Sequence, residues 1–367
     1  MTLLTVNSGS TSVKLGLYKA LPGGAVSCTA AAHHAGRDLE AREVLASLAP
    51  KLPSPPEAIA HRIVHGGSRF VQPTRIDAGV LAALEELSPL APLHNPPALR
   101  WVAAARALWP DTPQVAVFDT AFFSTLPRVA AEYALGARFG VEQGVRRYGF
   151  HGLAHQAMWE AWRARVPELP MGGRLITLQL GGGCSVAAID RGKPLDSSMG
   201  FSPLEGLVMA TRSGDIDPAV VPYLERRLGM SSEKVVALLN EESGLSGLSG
   251  GEENPAILLE DLAPRARFAV DLYCYRIRKY VGACLAVLGG CDGIVFGGGV
   301  GEHVPGVRER ALANLAWAGI ALDTSRNESA RGGAARIDNE FSGVRIEVVT
   351  VDEESTLARA AATLRMS

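Results

Sequence analysis

Three glycine-rich turns in this chain each follow a short β-like run. Asn7-Ser8-Gly9-Ser10-Thr11-Ser12 comes after Leu3–Val6, Gly181-Gly182-Gly183-Cys184-Ser185 after Leu175–Leu178, and Gly297-Gly298-Gly299-Val300-Gly301-Glu302 after Gly293–Phe296. Such turns expose backbone N–H groups with no large side chain in the way, so they can wrap a phosphate. The third also precedes a helical stretch, which faces a helix N-terminus toward an anion. None matches the P-loop pattern G-x-x-x-x-G-K-[ST] or a Rossmann fingerprint. Any one of them alone reads as an ordinary tight turn. Three at strand ends of one α/β chain point to phosphate or nucleotide binding.

A second group of residues could act on what those turns hold. His61-Arg62-Ile63-Val64-His65-Gly66-Gly67 follows a strand, Leu93-His94-Asn95 precedes a helix, and Asp119 ends the run Val115–Phe118. Arg146-Arg147-Tyr148-Gly149-Phe150-His151-Gly152 is a cationic, aromatic loop, and Thr211-Arg212-Ser213-Gly214-Asp215 carries an arginine in a turn. Sites in open α/β sheets collect at the carboxyl ends of strands. Taken singly, each histidine also fits a loop residue with a local hydrogen bond, and Arg212 with Asp215 and Asp217 also fits a surface ion pair.

The elements that would position these groups alternate. Strands are expected at Leu3–Val6, Val13–Tyr18, Ala58–Ala60, Val115–Phe118, Leu175–Leu178, Ser185–Ile189 and Gly293–Phe296. Helices are expected over Val80–Leu87, Pro97–Leu108 and Ala266–Leu288, with Asn95-Pro96-Pro97 as an N-cap followed by proline, and over Glu353–Leu364 at the end. Alternation of this kind gives an α/β class. The runs LLTV (3–6) and LITL (175–178) are near copies, each followed by a small-residue turn and a strand. A repeat that long implies two similar domains rather than a solenoid. The length of 367 residues agrees, at about 150 residues per domain.

Composition narrows the class. The chain is 47% apolar and 20% charged, enough for two packed cores and unlike a disordered chain. A net charge of −2 leaves no basic footprint, so nucleic acid is not an expected partner. The five cysteines form no C-x-x-C pair and no zinc spacing, which reads as reduced cytoplasmic thiols. No secretory signal pattern opens the sequence, and no apolar run reaches roughly 18 residues, so no membrane span is expected.

Read together, the motifs resemble the acetate and propionate kinase family, within the superfamily of acetate kinases, sugar kinases, heat-shock chaperone ATPases and actin. The stretches are VNSGSTSVK (6–14), HRIVHGG (61–67), LAPLHNPPAL (90–99), VFDTAFF (117–123), RRYGFHG (146–152), SMGFSPLEGL (198–207), TRSGDIDP (211–218), VFGGGVGE (295–302) and VDEE (351–354). The resemblance implies two ribonuclease H-like (actin-like ATPase) β/α domains with the active site in a cleft between them. One would span 1–145, completed by a C-terminal helix 354–367, and the other 146–353. It implies reversible phosphoryl transfer from ATP to the carboxylate of acetate or propionate, giving acyl phosphate and ADP. Mg²⁺, or Mn²⁺ in its place, and a homodimer come with it. Residue by residue, it places catalysis on Asn7, Arg62, His94, Asp119, His151 and Arg212. It places the acyl pocket on Val64, Leu93, Phe150 and Pro203 between Arg62 and Arg212. Nucleotide contacts fall on Lys14, on Gly181, Gly182 and Gly183, and on Gly297, Gly298, Gly299, Val300 and Gly301, and the metal on Asn7 and Glu353. Phosphoryl transfer needs positioning and charge stabilisation more than covalent chemistry, and planar arginine forks suit both anions.

The sequence also departs from the family. Gln179 and Gly182 stand where the family carries a histidine and an asparagine. Asn254 and Ala256 replace an aspartate and an arginine that flank the adenine, and His303 replaces an asparagine. The expectation is an intact phosphoryl site with an altered base site. Acyl kinase chemistry with another donor, such as pyrophosphate or a different nucleotide, is the second reading, and a non-catalytic nucleotide-binding relative the third.

Overall fold

In the strand Thr2–Ser8 (β1) every residue from Leu3 to Ser8 is buried, as a strand covered on both faces requires. Leu4 and Val6 point to one cluster, with Ile59, Trp101 and Leu45. Leu3 points to the other, with Ala58, Ala60 and Val117 and with Leu357, Ala358 and Ala361 of the helix Glu353–Met366. Fully burying a Leu or Ile side chain contributes about 1.5–3 kcal/mol, so the alternation locks the register of the sheet.

The computed structural model describes residues 1–9, 12–36, 39–52 and 54–366, the last two without their side chains. Ser10 and Thr11 of the first glycine turn therefore lie outside the described residues. Two units result: 1–124 with 151–153 and 352–367, and 125–150 with 154–351.

The first unit holds β1, β2 (Ser12–Ala20), β3 (Val26–Ala35), β4 (Ala58–Ile63), β5 (Thr74–Arg75) and β6 (Gln114–Phe118), in the order β3-β2-β1-β4-β6-β5. β1, β4 and β6 run parallel, while β2, β3 and β5 are antiparallel to their neighbours. The second unit holds β7 (Arg174–Leu180), β8 (Cys184–Asp190), β9 (Lys193–Ser197), β10 (Gly293–Gly297), β11 (Ala335–Arg336) and β12 (Arg345–Val348). Its order, β9-β8-β7-β10-β12-β11, repeats the first with the same strand directions. LLTV and LITL fall on the equivalent strands β1 and β7. The duplication and the mixed β/α class are those expected from the sequence. The three anticipated internal helices are Ala78–Glu86, Asn95–Leu108 and Pro264–Leu288.

One local expectation is corrected. Asn95 does not cap its helix: His94 holds the cap position and Asn95 is the first helical residue. Its amide is occupied elsewhere, donating to the His65 carbonyl at 3.0 Å and accepting from the His65 N–H at 3.1 Å.

Two histidines lie buried in the first unit. With the Gln114 amide oriented to satisfy both ends, its nitrogen donates to His61 Nε2 at 2.9 Å. Burial holds His61 down at about 4, against the Gln114 hydrogen bond, and burial alone holds His65 at about 4. Both stay neutral in the fold while the unfolded chain protonates near 6.5. Stability is therefore complete above about pH 6.5 and is lost as pH falls toward 4. Urea unfolding across that window should show a slope of up to about 2.7 kcal/mol per pH unit. His61→Asn should halve that slope, and a flat profile in the native protein would refute the assignment.

Candidate active site

The carboxyl ends of the parallel strands in the first unit bring together Asn7 on β1, Arg62 on β4 and Asp119 just after β6. The helix Glu353–Met366 adds Glu353 and Glu354 at its start. Arg62 Nε lies 3.1 Å from both Asp119 carboxylate oxygens, and Nη2 donates to Oδ2 at 2.5 Å. Arg62 Nη1 donates to Asn7 Oδ1 at 3.3 Å. The Asn7 amide nitrogen donates to Glu353 Oε2 at 2.7 Å and to Glu354 Oε1 at 2.9 Å. Lys14 Nζ closes the series 3.7 Å from Glu354 Oε1. Lys14 is thus grouped with Asn7 and Glu354 in the first unit, whereas the Gly181 and Gly297 turns belong to the second.

Charge and burial oppose one another here. Burial pushes the Asp119 carboxyl up, and Arg62 acts against that shift. Burial alone would lower the Arg62 guanidinium, but Asp119 and Glu353 beside it hold it above its ordinary value. Burial would raise Glu353 too, yet Arg62, the Asn7 amide, His151 and Lys14 bring it below the usual carboxylate range. Glu353 is therefore an ionised oxygen donor beside a second carboxylate, a donor set that suits a hard divalent cation keeping several waters. No group of three or more His, Cys, Asp or Glu able to hold a metal occurs among the described residues, so most of such an ion's coordination would come from water and substrate.

His151 is held against Asp119 by the backbone. Its peptide donates to the Asp119 carboxylate, and the next N–H, of Gly152, donates to the Asp119 carbonyl at 3.0 Å. His151 sits at φ +57°, a left-handed conformation uncommon outside glycine. A Cβ on Gly152 would come 2.0 Å from the Asp119 carbonyl oxygen. Glycine is thus required for the turn that presents His151. His94 stands half-buried at the head of the helix Asn95–Leu108. Of the residues expected to wall an apolar pocket, Val64 is buried at 4% exposure, but Leu93 stands 53% exposed in the turn before that helix.

In the second unit Arg212 Nη1 donates to the Pro203 carbonyl at 3.1 Å, which joins two residues the sequence placed in one site. Asp215 instead accepts from the Gly206 N–H and the Tyr280 hydroxyl. Phe150 is buried. The turn Gly181–Gly183 closes on itself, Gly181 N donating to the Gly183 carbonyl at 3.1 Å. The third run starts a helix, Gly298–His303, so its first N–H groups lack intrahelical acceptors. Gly298 has φ +76°, and a Cβ there would lie 2.5 Å from the Leu180 carbonyl oxygen. Gly182 and Gly299 have open space where a Cβ would go. Gln179, next to last in β7, is in register with Gly297, and its Oε1 is buried without a partner among the described residues. Asn254 caps the helix Pro255–Glu260, its Oδ1 accepting from the Ala256 N–H. His303 is exposed at the other end of the glycine helix.

Sequence reasoning missed Glu354, which shares the Asn7 amide with Glu353. Its signal in the sequence is the doubled acid of VDEE (351–354). It also missed His65, Asn95 and Thr120 as a connected set; Gly66 N donates to Thr120 Oγ1 at 3.1 Å.

Two mixed six-stranded sheets of one repeated strand order, with polar residues at the parallel-strand ends of one and glycine turns in the other, define a duplicated α/β protein. The model of the acetokinase family matches residues 23–359, and the chain belongs to that family. It is 43% identical to an acetate kinase of Clavibacter michiganensis subsp. michiganensis over 97% of each chain. To an acetate kinase of Streptomyces avermitilis it is 46% identical over 82% of this chain and 75% of that one. Among solved structures it is similar to Porphyromonas gingivalis acetate kinase, with TM-score 0.87 and 36% identity over 99% of each chain. It is likewise similar to a propionate kinase from Francisella tularensis subsp. tularensis, with TM-score 0.88 and 30% identity over 99% of each chain.

The glycine geometry separates positions that resemble one another in sequence. Gly152→Ala and Gly298→Ala should each destabilise the protein by about 1–3 kcal/mol or more, because backbone must move. Gly182→Ala should stay within about 0.5 kcal/mol of the native protein. Thermal unfolding of the three variants checks the ordering, and equal losses would refute it.

Proposed function

We propose that this protein is an acyl kinase of the acetate type, moving a phosphoryl group reversibly between ATP and the carboxylate of acetate, with propionate a slower substrate. The observation that carries the reading is the Asp119–Arg62–Asn7–Glu353/Glu354 series, a fixed arrangement of charge at strand ends in an acetokinase chain. Arg62 spends three of its five N–H groups on Asp119 and Asn7, leaving two for an incoming anion. Asp119 orients that guanidinium and, through the His151 peptide, the imidazole. Arg212 and His94 supply further donors to carboxylate and phosphoryl oxygens. The nucleotide phosphates fall to the backbone N–H groups of Gly181–Gly183 and Gly297–Gly301. Glu353 and Glu354, joined by Asn7, would hold Mg²⁺ directly or through water, and the ion would neutralise charge on the phosphates. Transfer is direct and in line, without a phosphoenzyme. A homodimer belongs to this reading; the helix Val220–Leu228, with no buried residue and with Tyr223 and Leu228 exposed, is a surface for it. So does a cytoplasmic location, which the five unpaired cysteines favour.

Both arginines are open to test with acetate, ATP and Mg²⁺. Arg212→Ala should lower kcat by about 10²-fold or more with the unfolding temperature nearly unchanged. Arg62→Ala should lose activity and also stability, by about 3–5 kcal/mol, because Asp119 is left buried without its counter-charge. Arg62→Lys should rescue poorly, since a point charge cannot serve Asp119, Asn7 and substrate together. Near-normal kcat in either alanine variant would refute the role given to that arginine.

The donor site carries its own expectation. Asn254 uses its amide oxygen to cap a helix, and Ala256 offers no plane to stack on a base. Backbone contacts to phosphate are blind to the base. ATP, GTP and ITP should therefore be used within about tenfold of one another, roughly 1.4 kcal/mol of transition-state difference. Steady-state kinetics with the three nucleotides and with pyrophosphate checks this. A preference for ATP beyond about a hundredfold would refute it, and turnover with pyrophosphate alone would replace ATP as the donor.

A further inference from the structure

The loop that follows Arg62 is fastened almost entirely by side chains. His65 is fully buried, and the Asn95 amide pairs with both sides of it, accepting from its N–H at 3.1 Å and donating to its carbonyl at 3.0 Å. Gly66 N–H donates to Thr120 Oγ1 at 3.1 Å, and Gly67 N–H donates to His65 Nδ1 at 2.9 Å. Asn95 is fully buried and Thr120 is 3% exposed. Only glycine fits at position 66, since a Cβ there would lie 2.4 Å from the Phe70 carbonyl oxygen.

Each partner is the chain neighbour of a residue given a role above. Val64 precedes His65, His94 precedes Asn95, and Asp119 precedes Thr120. One loop thereby ties three separate segments together, each through the residue beside a working one. The bonds replace what a strand ladder would do for a loop that has none. Displacing a reacting group by about 1 Å costs on the order of 10²-fold in rate, so such fastening bears on catalysis and on the size of acid accepted.

We infer that Thr120 and Asn95 are positioning residues that hold Val64, His94 and Asp119 in register, and through Val64 set the length of acid accepted. This rests on the acyl kinase reading. The test uses Thr120→Val, which keeps the volume but removes the acceptor of the Gly66 N–H, and Thr120→Ser, which restores the hydroxyl. Thr120→Val should lower kcat/KM for acetate at least about tenfold, mainly in kcat, and shift the propionate-to-acetate ratio of kcat/KM by more than about threefold. Thr120→Ser should remain within about threefold of the native enzyme in both measures. Unfolding temperatures and circular dichroism establish that the assayed variants are folded. A role confined to stability would lower the unfolding temperature but leave rate and selectivity of the folded enzyme intact, which would overturn the inference. If Thr120→Val fails to fold, Thr120→Ala serves in its place with the same expected losses. Failure of both to fold would assign Thr120 to the fold and overturn the inference as well. Native enzyme without acetate-dependent turnover would refute the acyl kinase reading itself. Active native enzyme with an indifferent Thr120→Val would refute only the positioning role.

Discussion

Asp119 is 1% exposed and the Arg62 side chain 13%, and the rest of the first unit follows from keeping those two charges out of water. Desolvating each ion costs several kcal/mol, and their attraction offsets that only where geometry is good and remaining lone pairs are met. The structure meets both conditions. The guanidinium is shared between Asp119 and Asn7, and the carboxylate takes a further backbone donor from His151. These groups come from three parallel strands and a strained turn, so register errors in β1, β4 or β6 would leave a buried charge unpaired. The completely buried faces of these strands make such errors costly in apolar contact as well.

The second unit solves a different problem with the same sheet. Its strand ends carry no comparable ionic series among the described residues. They carry glycine turns, in one of which Gly298 approaches the Leu180 backbone too closely for any side chain. Side-chain charge serves where groups must be discriminated and oriented; backbone N–H groups serve where a phosphate must only be held. The unpartnered Gln179 Oε1 lies on the register pair that joins β7 to the third glycine run. The carboxyl ends of β7 and β10 thus present polar backbone and an amide.

Much of this was legible in the sequence. The LLTV and LITL copies announce the duplication because a strand buried on both faces must be a short apolar run, and two such runs before small-residue turns are hard to miss. Alternation of helix and strand signals gave the class, and fixed motif order gave the family. What escaped were relationships between segments. Asn95 read as a helix cap because Asn-Pro-Pro has that local meaning, but its amide is taken by a loop thirty positions away. Adjacent acids on a helix ordinarily diverge, yet the Asn7 amide nitrogen donates to both Glu353 and Glu354. Leu93, placed in the acyl pocket by the resemblance, stands exposed in its turn, where side-chain direction has no periodicity to read. Lys14, which the resemblance places among the nucleotide contacts, also pairs with Glu354, a neighbour no local pattern announces.

The matching registers carry one more consequence. Leu3 pairs with Ala58 and Leu175 with Gly293, so counting along the paired strands sets Asn7 against Gln179 and Arg62 against Gly297. At the same station of a repeated scaffold, one copy holds a long cation and the other holds no side chain at all. A long cation and an open space exclude each other at a single position, so one sheet could not offer both at that station. Two copies of the scaffold hold one of each.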